Sequence, residues 1–305
     1  MPQWGFLDFL SAIARNYPTF QLRMEAEVTN LIEEQGRITG VEALTPQGQL
    51  RVKADLVIGA DGRHSIVRKL AGLDVQDLTS PIDVLWMRLS KKPGDPSQTA
   101  GYFNFGRVLV MLDRGDYWQC AFLIRKGQFD EIRNKGLPQF REDVTKIAPF
   151  LKDRLAGDGA EIRSWSEIQF LSVRVDRLRH WFRPGLLCIG DSAHAMSPVG
   201  GVGINLAIQD AVAAANILSR PLKTGKLSEN DLKAVEARRT FPTKATQAFQ
   251  VLVHKRVFDR LLGQDKPFSA PWPVRLLDSW PMLRRIPARL IGVGIRPEHV
   301  LDLPR

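Results

Sequence analysis

The stretch from Gly185 to Asn205 constrains the fold of this 305-residue chain more than any other. It reads Gly-Leu-Leu-Cys-Ile-Gly-Asp-Ser-Ala-His-Ala-Met-Ser-Pro-Val-Gly-Gly-Val-Gly-Ile-Asn. The apolar run at its start does not alternate with polar residues, which is typical of a strand buried on both faces of a parallel sheet. An acidic residue, a glycine-rich loop and a helical pattern follow. The stretch therefore predicts an α/β fold in which a buried strand leads through a loop into a long helix.

A second pattern of the same kind runs from Ala54 to Arg68. An apolar strand leads to Asp61-Gly62, and Ser65 stands near the start of a short helix. Ligands of open parallel sheets bind at the carboxyl ends of the strands, where Asp61 falls, and glycine lets a ligand approach the backbone closely. An Asp-Gly pair is also a common turn, so this segment alone equally fits an ordinary junction between a strand and a helix.

The residues after the strand that begins at Gly185 suit a particular kind of ligand. An ionised Asp191 only accepts hydrogen bonds and matches a ligand hydroxyl, such as one of a sugar or a ribityl chain. The run from Pro198 to Gly203 offers backbone N–H groups at the start of a helix, where partial positive charge favours a phosphate or a reduced flavin ring. The alternative is a glycine-rich loop before a packed helix, and the presence of two such motifs in one chain weighs against it.

Upstream of these motifs the sequence predicts one helix and several short strands. The helix spans residues 5–16, where apolar side chains recur at helical spacing. Strands are predicted at residues 20–24, 28–33, 38–44 and 50–52, with hairpin turns at Gln35-Gly36 and Gln47-Gly48.

The middle of the chain, residues 80–175, is rich in short β segments, which predicts an antiparallel sheet in a second, inserted domain. Its predicted strands are 82–89, 101–105, 108–112, 117–124 and 168–175, with a helix at about 138–156. After a strand at 186–189 the chain turns helical, and a helix is predicted over about 228–262. The first of these late helices is expected to have one apolar face, formed by Ile204, Ile208, Ala211, Val212, Ala215 and Leu218.

Composition excludes several classes of protein. With 44% apolar and 25% charged residues, the chain is not disordered, collagen-like or a coiled coil. Cys120 and Cys188 sit in apolar runs without metal-ligand spacing, so we expect reduced, buried thiols in a cytoplasmic protein and no metal site. The net charge of +10 is spread along the chain, which argues against a nucleic-acid partner. The densest basic stretch, Arg275 to Arg296, is interpreted as a solvated tail, with weak membrane-surface contact as the second interpretation.

Together the two motifs resemble those of the FAD-dependent aromatic-ring hydroxylases, the flavoprotein monooxygenases related to p-hydroxybenzoate hydroxylase. Residues 55–68 match that family's DG motif, and residues 185–205 match its GD motif, including the downstream proline, glycines and asparagine. The resemblance covers essentially the whole chain. It implies a mixed α/β architecture: a doubly wound FAD-binding domain, a β-rich substrate domain and a helical C-terminus. We expect these at residues 1–79 with 176–220, at 80–175 and at 221–305.

The resemblance also assigns roles to individual residues. Asp191 is expected to accept a hydrogen bond from the ribityl chain of FAD, and Arg68 to help with the nicotinamide donor. His194 is expected to be packed and hydrogen-bonded, and no catalytic side chain is expected. The expected FAD-binding residues are Asp61, Gly62, Gly190, Asp191, Pro198, Gly200, Gly201, Val202, Gly203, Ile204 and Asn205. The expected substrate-facing residues are Trp86, Arg88, Tyr102, Asn104, Phe105 and Phe122, although a place in the sheet core is the alternative for each aromatic one.

One part of the family pattern is absent from this sequence. Family members open with a strand, a GxGxxG loop and a helix that bind the ADP half of FAD, and no GxGxxG occurs in these 305 residues. We therefore expect an incomplete FAD-binding domain in which the strand at 54–60 has an open edge. A truncated reading frame, a fragment or one piece of a split gene is expected, with poor FAD affinity on its own.

The function implied by the resemblance is hydroxylation of an aromatic or other electron-rich or lipophilic small molecule, with FAD as cofactor and NADPH or NADH as electron donor. Two alternatives stay open. The first is a flavin enzyme of the same fold with other chemistry, such as a halogenase or a reductase. The second is a non-catalytic, basic protein that binds a membrane surface and keeps only the fold. The sequence does not predict the oligomeric state.

Overall fold

The structure is a computed structural model that describes residues 3–104, 106–255 and 285–301, together with Leu262, Trp280 and Met282. Within these residues the strands form four sheets. One of the sheets contains a parallel pair of strands, and this pair positions the candidate site.

The N-terminal part consists of one helix and a three-stranded antiparallel sheet. Helix α1 spans Gln3–Ala14, and strands β1, β2 and β3 span Glu27–Glu34, Arg37–Thr45 and Gly48–Lys53. Gln35 and Gly36 join β1 to β2 with φ values of 51° and 76°, as a two-residue hairpin turn matched to the twist of the strands requires. The predicted helix, the three later strands and this turn are confirmed.

The strand predicted at residues 20–24 is wrong, because the segment is irregular in the structure. Phe20, Leu22 and Met24 are 40%, 45% and 74% exposed, so their alternation with polar residues does not face a core. A β preference is realised by packing against neighbouring strands, and no strand pairs with this segment in the described part of the chain.

The parallel pair consists of β4, Val57–Gly59, and β13, Leu186–Cys188. The short β12, Phe182–Arg183, pairs antiparallel with the other side of β13. Among the described residues β4 is therefore an edge strand, and its Ile58 is 45% exposed. This geometry agrees with the open edge that the sequence predicts.

The largest sheet among the described residues is antiparallel and has five strands. They are β6 (Ile82–Ser90), β7 (Ala100–Asn104), β8 (Arg107–Asp113), β9 (Tyr117–Arg125) and β10 (Gln169–Leu171). Their order across the sheet is β10–β6–β9–β8–β7. One of its faces packs on helices α3, Phe129–Lys135, α4, Leu137–Ile147, and α5, Lys152–Leu155. Three short elements connect this sheet to the parallel pair along the chain. They are helix α2 (Ile66–Leu70), strand β5 (Val75–Asp77) and strand β11 (Asp176–Leu178), and the two strands pair antiparallel with each other.

The helix predicted at about 138–156 is broken into two. Helix α4 ends at Ile147, and a 3₁₀ turn over Pro149–Leu151 separates it from α5. Proline lacks the N–H that a helix needs and disfavours helical backbone at the residue before it. Ala148, which precedes Pro149, accordingly has a non-helical ψ of 79°.

Two long helices follow the parallel pair. Helix α6 spans Gly203–Lys223, helix α7 spans Glu229–Val253, and a short helix α8 spans Arg285–Gly292. The helix predicted over 228–262 is confirmed as far as Val253, and residues 256–261 of it lie outside the described part. The basic stretch from Arg275 onward is described only at residues 280, 282 and 285–296. Among the described helices, none is long and apolar enough to cross a lipid bilayer.

The buried face of α6 is not the predicted one. Ile204 and Ile208 are 45% and 40% exposed. The buried residues are Leu206, Asp210, Ala213, Ala214 and Leu218, of which only Leu218 belongs to the predicted face. Apolar spacing misplaces the face because the centre of the buried side is a carboxylate, Asp210, which a search for apolar residues passes over.

Candidate functional site

The parallel pairing of β4 with β13 brings the two sequence motifs together. Gly59 lies opposite Cys188 in the register. The carbonyl of Gly59 accepts hydrogen bonds from the amide of Ile189 at 2.9 Å and from the hydroxyl of Ser192 at 2.6 Å. The turns after the two strands therefore leave from the same edge of the sheet, where ligands of parallel sheets bind.

Gly59 lets the strand end approach its neighbours closely. A Cβ at this position would lie 2.9 Å from Cγ1 of Val67 and 3.1 Å from Sγ of Cys188. Burial raises the pKa of the Cys188 thiol to about 12, so this cysteine is a neutral packing residue beside the site. Cys120 and Cys188 are both free and buried, which confirms the expectation for them.

Asp61 and Gly62 form the turn after β4. The carboxylate of Asp61 accepts a hydrogen bond from the amide of Val67 at 3.0 Å, at the start of α2. Gly62 has a φ of +80°, a conformation that glycine adopts without strain. Asp61 is exposed, so one of its oxygens fixes α2 while the side chain stays accessible to a ligand.

Gly190 and Asp191 form the matching turn after β13. Gly190 has a φ of +61°, and a Cβ on it would lie 3.0 Å from Cβ of Ala207, so the turn packs closely on α6. The half-buried carboxylate of Asp191 accepts no hydrogen bond from the residues that the structure describes. Its Oδ1 lies beside Gly203, 3.9 Å from the point that a Cβ would occupy on that glycine. A free acceptor thus lies next to the first residue of α6.

Helix α6 begins without a side-chain cap. Its N-cap residue is Val202, whose side chain cannot accept a hydrogen bond. The first amide to bond a carbonyl at this end is that of Leu206, which donates to Val202 at 3.2 Å. The three preceding amides of the helix therefore have no backbone partner among the described residues. These donors, and the positive end of a 21-residue helix, are available to a ligand that carries negative charge.

The loop before α6 is shaped by Gly200 and Gly201, with φ values of +84° and +63°. No atom of the described part of the chain lies within 4 Å of the position of a Cβ on Gly201, so these residues leave space beside the helix start. Pro198 closes the loop by accepting a hydrogen bond from the amide of Gly201 at 3.0 Å. The exposed Ile204 lies in the first turn, and the side chain of Asn205 donates to the carbonyl of Gly292 at 3.2 Å.

A buried ionic network lies directly behind the Gly190 turn, and sequence reasoning missed it. Asp210, on α6, accepts hydrogen bonds from the amide of Gly190 at 3.0 Å and from Nε of Arg239 at 2.8 Å. Its Oδ2 lies 2.5 Å from Nε2 of His194. Burial alone raises the pKa of Asp210, but the charges and hydrogen bonds of His194 and Arg239 outweigh it and hold that pKa below its ordinary value. Asp210 is the one acidic residue of α6, and this is the signal that could have revealed the network.

His194 is buried, and its ring lies 5.0 Å from that of Trp181. The expectation that this histidine is packed and hydrogen-bonded is confirmed.

Arg68 lies differently from its expected place. Its guanidinium is buried, donates to both carboxylate oxygens of Asp176 at 3.1 and 3.2 Å, and also donates to the carbonyl of Arg63. Arg68 is thus committed to the fold, which corrects the expected contact with a nicotinamide donor.

The predicted substrate-facing residues fall on two sides of the large sheet. Trp86 pairs with Ala121, and both pack in a cluster with Val199, of the glycine-rich loop, and Val253, of α7. This face of the sheet therefore looks toward the candidate flavin-binding loop. Arg88, two residues along the strand from Trp86, shares its side; it lies 3.8 Å from Asp116 and stacks on the ring of Tyr117.

Tyr102 and Phe122 lie on the opposite side of the sheet, which corrects the expectation that they join Trp86. Phe122 contacts Phe140 of α4 with 5.3 Å between ring centroids, and Tyr102 contacts Phe150 at 5.8 Å. Side chains alternate along a strand, so aromatic character alone does not reveal which side a residue faces. Asn104 ends β7 on the same side as Tyr102, and Phe105 lies outside the described residues.

Comparisons with known proteins agree with this geometry. A family model described as an FAD-binding domain matches residues 1–249. The 6-methylpretetramide 4-monooxygenase of Streptomyces rimosus is 33% identical over 293 residues, which cover 95% of this chain and 68% of that protein. The 3-demethoxyubiquinol 3-hydroxylase of Escherichia coli K12 is 26% identical over 181 residues, covering 58% of this chain and 44% of that protein.

A solved structure shares the fold. The structure of pqsL, a probable FAD-dependent monooxygenase from Pseudomonas aeruginosa, superposes with a TM-score of 0.70 at 20% identity, over 85% of this chain and 71% of that chain. The chain spans about two thirds of the Streptomyces relative and less than half of the Escherichia coli one. The family match and the 33% identity together show that the chain belongs to the FAD-binding-domain family of flavin-dependent monooxygenases of the aromatic-hydroxylase type.

Proposed function

We propose that this protein is a monooxygenase that binds FAD, takes electrons from NADH or NADPH, and hydroxylates an aromatic or other electron-rich, lipophilic small molecule. One observation carries the proposal. The free carboxylate of Asp191 lies beside the uncapped start of α6, so an acceptor for a ribityl hydroxyl and donors for an electron-rich ring stand next to each other.

The residues present fit a flavin. Asp191 would hold the ribityl chain, and the amides of residues 203–205 would face the pyrimidine side of the ring system. Gly201 leaves the space that a flat ring needs at this position. Asp61 and Gly62, at the end of the neighbouring strand, are placed to meet the ribose and pyrophosphate of the same cofactor.

Bound FAD would supply the reductive activation of O₂ for oxygen transfer. The contribution of this chain is electrostatic and steric. The unsatisfied amides and the positive end of α6 stabilise negative charge on the flavin ring, as oriented donors in a preorganised site do. The glycine-rich loop and the Trp86 side of the large sheet meet in an apolar cluster, which disfavours water next to the proposed ring position.

The substrate would lie beside Val199 and Trp86, where these two half-buried side chains border the apolar cluster on this side of the sheet. Apolar side chains dominate this region, with Val84, Val110, Ala121 and Leu123 beside Trp86, which favours an aromatic or lipophilic molecule over a strongly charged one. The named substrate of the Streptomyces relative, 6-methylpretetramide, is therefore the first compound to test.

The proposal is tested by incubating the chain with saturating FAD, NADPH or NADH, 6-methylpretetramide and ¹⁸O₂, and analysing the product by mass spectrometry. A product that carries one ¹⁸O atom is expected. Parallel reactions with bromide or chloride present separate hydroxylation from halogenation, because a halogenated product without ¹⁸O assigns other flavin chemistry. FAD-dependent consumption of the nicotinamide donor must be absent in a reaction without protein. If the chain neither oxidises the donor nor converts any aromatic substrate with FAD in excess, the proposed function is wrong.

A further inference from the structure

The segment over residues 292–301, here called the C-terminal strap, lies along the side of α6 that faces away from the parallel strands. Three amide side chains of α6 hold it, and their spacing puts them on one side of the helix. The contacts are Asn205 to the carbonyl of Gly292 at 3.2 Å, Gln209 to the carbonyl of Val293 at 3.0 Å, and Asn216 to the carbonyl of His299 at 2.8 Å. The amide of Leu301 donates back to Asn216 at 3.1 Å.

The strap is also in contact with Arg239 of α7, whose side chain is fully buried. On the strap side, Arg239 donates to the carbonyl of Arg296 at 3.2 Å and lies 3.4 Å from the carboxylate of Glu298. On the α6 side, it donates to Asp210 at 2.8 Å and to Gln209 at 3.2 Å. One buried guanidinium therefore joins the strap to α6.

Asp210 carries the connection onward to the flavin-binding turn. One of its oxygens faces Arg239, and the other accepts from the amide of Gly190 and from Nε2 of His194. Gly190 is the residue directly before Asp191, whose carboxylate is proposed to hold the ribityl chain. The orientation of the Asp210 carboxylate thus sets the position of the turn that presents Asp191.

We propose that Glu298, Arg239 and Asp210 are positioning residues through which the C-terminal strap fixes the Gly190-Asp191 turn for FAD binding. The inference rests on the proposed function of that turn. Its physical basis is that a buried guanidinium holds its geometry only while its carboxylate partners are present. Glu298 also accepts a hydrogen bond from Nε of Arg238 at 2.6 Å, which holds its carboxylate in place. Loss of the Glu298 charge leaves Asp210 as the one carboxylate facing Arg239 among the described residues, which pulls the Asp210 carboxylate away from Gly190 and His194.

Glu298→Gln is the most direct test, because it keeps the size of the side chain and removes its charge. The matched control is Glu131→Gln, which removes an exposed Glu–Lys pair on α3. Hydrogen–deuterium exchange of the apo chain should show faster exchange of the Gly190 region in Glu298→Gln and no change in the control. Titration of FAD, followed by flavin fluorescence, should give a Kd raised about tenfold in Glu298→Gln, within the range typical of coupling between separate sites.

Two further variants distinguish a positioning role of Glu298 from a general loss of stability. Glu298→Asp retains a carboxylate and should restore most of the exchange protection of the Gly190 region. If Glu298→Gln folds poorly, Asn216→Ala releases the far end of the strap without touching a buried charge, and it should raise exchange in the same region to a smaller extent.

Two outcomes separate this proposal from the proposed function. If wild-type and Glu298→Gln chains bind FAD equally and exchange equally around Gly190, the positioning role is overturned although the flavin function stands. If neither chain binds FAD, the flavin function fails, and the exchange measurement still decides whether the strap holds the turn.

Discussion

At the scale of single residues, the candidate site depends most on Asp191, whose carboxylate lies beside the uncapped start of α6. Asp191 and Gly190 follow from the strand–turn–helix pattern alone, and the structure places both at the start of α6. The sides on which Trp86 and Phe122 lie do not follow from the sequence, because strand periodicity gives two opposite sides. Only packing decides which side faces the glycine-rich loop. The role of Asp210 is not predicted from the sequence, because its burial depends on partners from distant segments.

Asp191→Asn tests the proposed contact with the ribityl chain. A hydrogen bond to a charged acceptor contributes about 1.5–3 kcal/mol, so the Kd for FAD should rise by roughly 10- to 100-fold. Asp74→Asn is the matched control, since Asp74 is an exposed acid whose carboxylate pairs with Arg179 at the protein surface. Fluorescence titration of both variants against wild type measures the effect, and equal Kd values would show that Asp191 does not contact FAD.

Gly190→Ala tests the close packing of the turn on α6. An alanine at position 190 would have its Cβ 3.0 Å from Cβ of Ala207 and would also have to adopt the φ of +61°. Gly225 has a similar φ of +63°, but no atom of the described residues lies within 4 Å of the position of a Cβ there. Gly225→Ala therefore carries only the backbone penalty, about 1–2 kcal/mol. Urea unfolding should show a larger loss of stability for Gly190→Ala than for Gly225→Ala. Equal losses would mean that the turn can move away from Ala207.

At the scale of elements, the sequence predicts each long helix and most strands, and it fails where a partner is required. The segment at 20–24 has the composition of a strand but pairs with no described strand. The helix predicted at 138–156 is divided by Pro149, a signal that is present in the sequence. The buried side of α6 is defined by Asp210 and its partners Gly190, His194 and Arg239, which helical periodicity alone does not contain.

The buried pair of Arg68 with Asp176 joins α2 to β11, and it gives a prediction about stability. Both side chains are less than a tenth exposed, so Arg68→Met leaves a buried carboxylate without its partner and should cost about 3–5 kcal/mol. Arg179→Met, at the exposed pair with Asp74, should cost at most about 1 kcal/mol. Chemical denaturation measures both, and a loss below about 1 kcal/mol for Arg68→Met would contradict a structural role for this ion pair.

At the scale of the whole molecule, the parallel pair, α6 and one side of the large sheet converge on the same loop. The α/β character and the antiparallel middle sheet follow from the sequence, because buried parallel strands and alternating strands differ in pattern. The way Val199 and Val253 meet the Trp86 side does not follow, since it depends on contacts between segments far apart in the chain. The strap on α6 is likewise set by tertiary hydrogen bonds that no local pattern predicts.

The Asp210 network predicts how stability depends on pH. The pKa of this carboxyl is lower in the folded protein than its ordinary value of 3.8, so its contribution is present above about pH 4 and is lost as the pH falls further. The unfolding free energy of the wild type should therefore decline more steeply below pH 4 than that of Asp210→Asn. Urea titrations at pH 7, 5 and 3 measure the two slopes, and parallel curves would show that Asp210 has an ordinary pKa in the folded state.

We propose that Asp191 and the uncapped start of α6 hold a flavin. TROSY NMR of the labelled chain during titration with FAD examines both features at once, because each backbone amide reports its own surroundings. We expect the amides of residues 190–192 and 200–205 to shift first and most strongly, and Asp191→Asn to weaken these shifts at equal FAD concentration. If saturating FAD leaves these amides unchanged, whether or not other amides shift, then Asp191 and the start of α6 do not hold the flavin.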